Sequence, residues 1–475
     1  MAKSQPCALR EARAVPSHPT MSDKPTDGLP LPQRYWAILT IILGLTLAVL
    51  DGAIANVALP TIASDLHARP AASIWIVNAY QLAITISLLP LASLGDIVGY
   101  RRIYRIGLAI FTVASLACAL SDSLLTLTLA RVLQGFGAAG IMSVNTALVR
   151  VIYPQRLLGR GIGINALVVA GAAAAGPTVA AGILAIAHWQ WLFAVNVPIG
   201  IAAFVVAMRA LPESQRSPHA FDWQSALYNA LTFGLLISAI DSFGHGQRLS
   251  MVALELFSSL AIGVLLVRRQ LILPSPLLPI DLLRIPMFAL SMSTSVCSFA
   301  AQMLAFVSLP FFLQDTLGRS YVATGLLMTP WPLAIVVVAP VAGRLVERYH
   351  PGLLGAIGLL VFCSGLSLLA MLSVHPSSLD IVWRMALCGV GFGLFQSPNN
   401  YAIITSAPRH RSGGASGMLG TARLVGQTTG AALVALVFNL APVRGTTVTL
   451  VVAAGFALLA ASTSALRMRL PRPAG

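Results

Sequence analysis

Polar residues interrupt this chain only briefly, and between the interruptions it stays apolar for about twenty residues at a time. Twenty residues of helix, at 1.5 Å each, match the ~30 Å hydrocarbon core of a bilayer. The pattern predicts fourteen spanning helices, at about 36–58, 74–94, 104–121, 124–147, 161–186, 189–210, 222–241, 250–267, 287–308, 322–342, 353–373, 379–402, 416–438 and 446–466. The polar positions then fix direction. With the N-terminus inside, 23 of the 30 Lys and Arg fall in cytoplasmic segments, four (Arg69, Arg248, Arg319, Arg444) in outer loops, and three (Arg131, Arg384, Arg423) within spans. That bias places both termini in the cytoplasm. It also requires an even number of spans, because one missed helix would invert every later loop.

Composition sharpens the picture. The chain is 57% hydrophobic and only 9% charged, whereas soluble domains carry about 25% charged residues. The expected class is therefore an all-α integral membrane protein. The net charge of +15 does not point to nucleic acid, since the basic residues sit in short loops rather than in one patch. Five cysteines and eight histidines form no CxxC, HExxH or other metal spacing, and there is no phosphate-binding GxxxxGK[ST] loop. No cofactor or metal is expected, and the absent phosphate loop favours a secondary transporter. Residues 1–34 are polar, with four prolines before Leu29. They read as a disordered cytoplasmic tail rather than a signal peptide, with Met21 an alternative first residue.

The chain echoes itself. "GDIVGYRR" (Gly95–Arg102) follows the second span and "GRLVERY" (Gly343–Tyr349) the tenth. "ARVLQGFGAAG" (Ala130–Gly140) in the fourth span is matched by "WRMALCGVGFGLF" (Trp383–Phe395) in the twelfth, with the glycines offset by one residue. Spans 9–14 thus read as a second copy of spans 1–6. The predicted organisation is a six-helix bundle over 35–212, two inserted helices and a linker over 213–284, a second bundle over 285–467 and a tail over 468–475. Two such bundles with a site between them describe a rocking transporter.

These stretches resemble the major facilitator superfamily, specifically its fourteen-helix drug:proton antiporter branch. The resemblance is carried by "LDGAIANVALP" (Leu50–Pro60), "WIVNAYQLA" (Trp75–Ala83), "GDIVGYRR", "ARVLQGFGAAG", "GPTVAAG" (Gly176–Gly182), "WQWLFAVNVPIG" (Trp189–Gly200) and "ARLVGQTTG" (Ala422–Gly430). The chain departs from the branch at Ala53, Ile97, Ala180 and Ala181. The resemblance implies helices 1 and 4 beside a central cavity, a conformational latch in Gly95, Asp96, Gly99, Arg101 and Arg102, and a proton-tight seal in the helix of Gly176 and Pro177. A topology anchor and ordinary tight packing are the plainer readings of the last two.

Candidate chemistry centres on Asp51, a lone acid in an apolar helix, where a charge costs ~2.5–3.5 kcal/mol or more. If the first span ends near 58 and the fourth begins near 124, Asp51 and Arg131 each lie about seven residues, or ~10 Å, from the outer end. They are expected to form either a switchable proton-coupling pair or a static packing pair. Gln134, three residues after Arg131, can hold it, and the nearby glycines permit close packing. Cavity or substrate candidates are Asn56, Gln134, Arg384, Gln396, Asn399 and Arg423. On this reading spans 9–14 place no acid near Arg384 and Arg423, so backbone carbonyls or substrate are their expected partners. Trp331 can stack on aromatic cations or anchor at the lipid interface. The function expected is export of lipophilic cations across the inner membrane in exchange for protons, by a monomer. The rivals are export of an anionic or neutral metabolite or antibiotic by the same machine, and a non-transporting membrane sensor.

Overall fold

A computed structural model describes residues 28–154, 157–214, 216, 220–244, 247–273, 279–346, 348–373, 375–407, 412–441 and 444–471. Most of the tail, including Met21, lies outside them. The described chain is helical and holds fourteen segments long and apolar enough to span a membrane. They are α1 (Leu31–Asp65), α2 (Pro70–Val98), α3 (Tyr100–Ala119), α4 (Leu124–Ile152), α5 (Leu167–Ile186), α6 (Trp191–Ala210), α7 (Trp223–Phe243), α8 (Leu249–Ile272), α9 (Pro286–Thr316), α10 (Tyr321–Leu345), α11 (Pro351–Ala370), α12 (Ser378–Ser406), α13 (Gly417–Leu440) and α14 (Gly445–Arg469).

Local chemistry sets several ends. Pro30 and Leu31 open α1, four residues before the end of the stretch read as tail, because a proline there gives up no helical hydrogen bond. Ser123 caps α4 through Thr126 in a reciprocal capping box. Gly99, at φ +106°, makes the turn between α2 and α3 that a side chain would strain. Pro60 does not end α1, which runs on to Asp65, so the span is longer on its outer side than its apolar pattern indicates.

Packing repeats with a period of eight spans. In the first bundle α1 packs on α5 and α6, α4 on α2 and α3, and α3 on α6; α9–α14 repeat each pairing in the same order. The bundles meet where α2 faces α13 and α5 faces α10. The inserted pair is peripheral: 17% of the apolar window of α8 is buried, against 72% for α9. α7 lies against α2 and α13, with Trp75 Nε1 donating to Asp241 at 2.9 Å and Asn229 Nδ2 to the Ile86 carbonyl at 3.0 Å. Asp222, just ahead of α7, clamps Arg269 of α8 at 2.9 Å. Burial alone would raise the Asp222 carboxyl, but bonds from Arg269 and Ser225 hold it below its ordinary value.

Glycines decide how closely the helices approach. A Cβ on Gly107 would meet the Gly137 carbonyl oxygen at 2.9 Å, and one on Gly358 the Gly391 carbonyl oxygen at 2.7 Å. Gly137 sits on the backbone nitrogen of Phe111, and Gly391 on that of Phe362. Gly135 and Gly389 likewise abut the carbonyls of Tyr80 and Trp331. The two copies therefore align Gly135 with Gly389. Four residues earlier stand Arg131 and Met385, not Arg131 and Arg384. The one-residue offset turns Arg384 ~100° around its helix.

Candidate functional site

Asp51 is 1% exposed and Arg131 0%, inside the first bundle. Arg131 Nη1 donates to Asp51 Oδ2 and, at 2.5 Å, to Gln134 Oε1. Gln134 Nε2 donates to Asp51 Oδ1 at 2.9 Å and to Ser115 Oγ at 2.9 Å. Asn196 Nδ2 donates to Asp51 Oδ1 at 2.8 Å. Arg131 Nε reaches the Ile76 carbonyl at 3.1 Å, and its guanidinium carbon lies 4.0 Å from the centre of the Tyr80 ring. The carboxylate thus accepts from three side chains on two other spans, and an aromatic face lies over its counter-charge.

Sequence reasoning brought Asp51, Arg131 and Gln134 forward but assigned no role to Asn196, Tyr80 or Ser115. Asn196 and Tyr80 stand inside the two aromatic-led stretches beginning at Trp189 and Trp75. A polar side chain in an apolar run was the available signal. Ser115 gave none, since serine in a helix commonly bonds its own backbone.

A cavity of about 500 Å³ lies between the bundles. It extends from Asn56, Tyr80 and Gln81 to Asp96, Tyr100 and Arg150 at the cytoplasmic ends of α2–α4, and the second bundle contributes Gln302, Arg423 and Gln427. Its outer side is closed. Thr61 Oγ1 meets Gln314 Oε1 at 3.3 Å, Gln314 Nε2 donates to the Val57 carbonyl at 3.2 Å, and the hydroxyls of Thr178 and Thr329 are 2.8 Å apart. Gly325 of α10 rests on the Pro177 carbonyl, and Gly176 abuts Ala53 of α1. The small-residue face of α5 therefore packs on its own bundle and on the other at once. This conformation faces inward.

Asn56 and Arg423 line the cavity; Gln134, Arg384, Gln396 and Asn399 do not. Gln134 belongs to the buried ion cluster. Arg384 does have an acid: its Nη2 lies 3.0 Å from Asp380 Oδ2, one turn back on α12, and its Nη1 donates to the Leu368 carbonyl. Asp380 lies in the first turn of α12, four residues before Arg384, inside the predicted apolar span. Asn399 donates to Ser295 Oγ at 2.7 Å and accepts from Arg467 Nη1 at 2.7 Å. Arg467, assigned to the cytoplasmic side by charge pattern, is fully buried. Trp331 is also fully buried, with ring centres 4.8 Å from Phe306 and 5.4 Å from Phe362. Neither lipid nor cavity reaches it.

In the α2–α3 turn Asp96 Oδ1 accepts from the Tyr100 hydroxyl at 2.6 Å. Arg101 donates to the Met208 carbonyl at 2.7 Å and lies 3.8 Å from Glu213. Tyr100 N donates to Ser214 Oγ at 3.0 Å. Arg102 is exposed, and a Cβ on Gly95 would meet Val144 at 2.6 Å. Among the described residues, these bonds all stay on the first bundle and the segment that follows it.

Comparison with known proteins agrees with this architecture. The chain is 64% identical over 448 residues to the "Uncharacterized transporter YebQ" of Escherichia coli (strain K12), covering 94% of this chain and 98% of that one. It is 30% identical to the "Riboflavin transporter RibZ" of Clostridioides difficile (strain 630), over 82% and 85% of the two chains. It is 32% identical to the "Multidrug resistance protein Stp" of Mycobacterium tuberculosis, over 83% and 75%. Residues 41–431 match the model of the Major Facilitator Superfamily. With fourteen spans in two repeated bundles around a cytoplasm-facing cavity, the chain is a multi-pass inner-membrane transporter and belongs to the Major Facilitator Superfamily.

Proposed function

We propose that the protein exports lipophilic small molecules across the inner membrane in exchange for protons, by alternating access and as a monomer. The observation that carries this reading is the Asp51 cluster. Both carboxylate oxygens already accept hydrogen bonds, and guanidinium offers donors only. A proton on Asp51 would take the acceptor position left free and cancel the charge that pairs Arg131, so protonation favours release of Arg131 and release favours protonation. Arg131 is stacked on Tyr80, which also forms part of the cavity wall, as do Gly52 and Ala53 beside Asp51. Protonation is thereby linked mechanically to the substrate cavity. Rocking about the α2–α13 and α5–α10 contacts would break the outer threonine and Gln314 bonds and close the inner side. The α2–α3 turn, with Asp96, Arg101 and Arg102, is the candidate to latch across the bundles in that state. The packed small residues around Gly176 and Pro177 are the candidate seal against proton leak.

The test is transport in liposomes containing the purified protein, driven by an imposed pH gradient. Asp51→Asn keeps an oxygen acceptor for Arg131 and removes the titrating group. It is expected to lower gradient-driven transport at least tenfold while the variant still purifies folded. Undiminished transport by that variant overturns the proposal.

Multidrug relatives and the resemblance favour lipophilic cations as cargo. A second reading, cargo that is neutral or anionic, is favoured by one observation: Arg423 lines the cavity, whereas Asp51 is closed off from it.

A further inference from the structure

Arg423 stands on α13, with its side chain at the wall of the central cavity. Among the described residues, no hydrogen bond or ion pair engages its guanidinium. Its Nε is buried without a partner, and its guanidinium carbon lies 5.7 Å from the centre of the Phe299 ring. The three other arginines discussed at depth are each supported. Arg131 has Asp51, Arg384 has Asp380, and Arg467 has Asn399, Ser291 and Ser464. A guanidinium left unpaired at lipid depth is costly, and such residues face cavities and mark substrate paths.

The rest of the cavity agrees in sign and shape. Gln427, one helical turn beyond Arg423, also lines it. Asp96 is the one carboxylate among its described lining residues, and it sits at the cytoplasmic mouth, bonded to Tyr100. Arg150 lines the same mouth. Positive charge therefore outweighs negative from the entrance inward, which draws anions in from the cytoplasm. Between these polar groups the walls are Ile84, Leu88, Met303 and Phe306.

We infer that the cargo is an amphipathic organic anion. Its carboxylate, sulfonate or phosphate is held by the planar donor fork of Arg423, with Gln427 alongside, and its apolar body lies against the walls between α2 and α9. This rests on the exporter reading above and names the substrate class of that cavity.

The test is binding to the full chain purified in detergent, with no gradient present, using fluorescein as the anionic probe and ethidium as the cationic one. Wild-type protein is expected to bind fluorescein more tightly than ethidium. Arg423→Gln is expected to weaken fluorescein at least tenfold and leave ethidium unchanged or tighter, while Arg423→Lys retains part of the affinity. Gln427→Glu, which leaves the arginine in place and sets a carboxylate beside it, is expected to reverse the preference. It serves as the readout should Arg423→Gln misfold. Inorganic phosphate is expected not to displace fluorescein at equal concentration. The inference is overturned if wild-type protein fails to bind fluorescein, if binding is indifferent to these substitutions, or if phosphate competes equally. Because binding is read without a gradient, loss of proton coupling with this pattern intact counts against the antiport reading alone.

Discussion

The two bundles share one packing scheme and fill its centre with opposite chemistry. In the first, the position four residues before Gly135 is Arg131, tied to Asp51, Gln134 and Asn196 and covered by Tyr80. In the second, the position four residues before Gly389 is Met385. The counterpart of Tyr80 there is Trp331, set in an edge-to-face run with Phe306, Phe362, Phe392 and Phe395. On the proposed mechanism the buried ion cluster alternates between a paired and a protonated arrangement. Interlocked rings have one, because close-packed interiors do not deform continuously. Under that proposal the first bundle switches and the second stays rigid, its charge displayed to the cavity by Arg423.

This contrast can be broken deliberately. Arg131→Met gives the first bundle the residue of the second and strands Asp51 without its cation. Removing one partner of a buried pair costs about 3–5 kcal/mol, so the single variant is expected to lose thermal stability sharply. Asp51→Leu combined with Arg131→Met is expected to recover most of it while leaving pH-driven transport absent. Thermal unfolding of the purified proteins, paired with the liposome assay, separates the two outcomes. A single variant as stable as wild type would show that the cluster is not the tightly paired unit described.

The geometric equivalence is sharpened by Gly137→Ala and Gly391→Ala. Each added methyl falls on a backbone nitrogen, of Phe111 or Phe362, which cannot swing aside as a side chain can. Overpacking of this kind costs about 1–3 kcal/mol. Matched drops in unfolding temperature are expected, and a large drop for one with none for the other would contradict the aligned repeat. The smallest effect is expected for Arg384→Ala. The Arg384–Asp380 pair is partly exposed (15% and 27%) and lies within one helix, so about 1 kcal/mol or less is at stake and transport should change less than twofold. A transport defect comparable to that of Asp51→Asn would restore Arg384 as a functional counterpart of Arg131.

Much of this was legible without coordinates. Fourteen spans, their direction and the doubled bundle follow from apolar run lengths, from the bias of Lys and Arg, and from recurring glycines. The Asp51–Arg131 contact was legible because so few charges occur at depth that the possible partners are nearly enumerated. α1 runs on to Asp65, however, so Asp51 stands farther from the outer end of its helix than the apolar pattern predicts. Arg384 gains no partner from the pattern because Asp380, one turn back, stands in the first turn of the same apolar span. Arg467 reads as cytoplasmic because it stands one residue beyond the predicted end of its span, yet it is buried.

Alone, the sequence determined what must lie in the membrane, which way it runs and which few charges need partners, because the bilayer penalises each exposed polar group wherever it occurs in the fold. Only the tertiary structure decided which charges are satisfied and which face the cavity. That depends on a rotation of ~100° per residue and on glycine-level approach between helices distant in sequence. One residue of offset is enough to carry an arginine from a bundle core to its edge, and no pattern along the chain reports where the neighbouring helix will be.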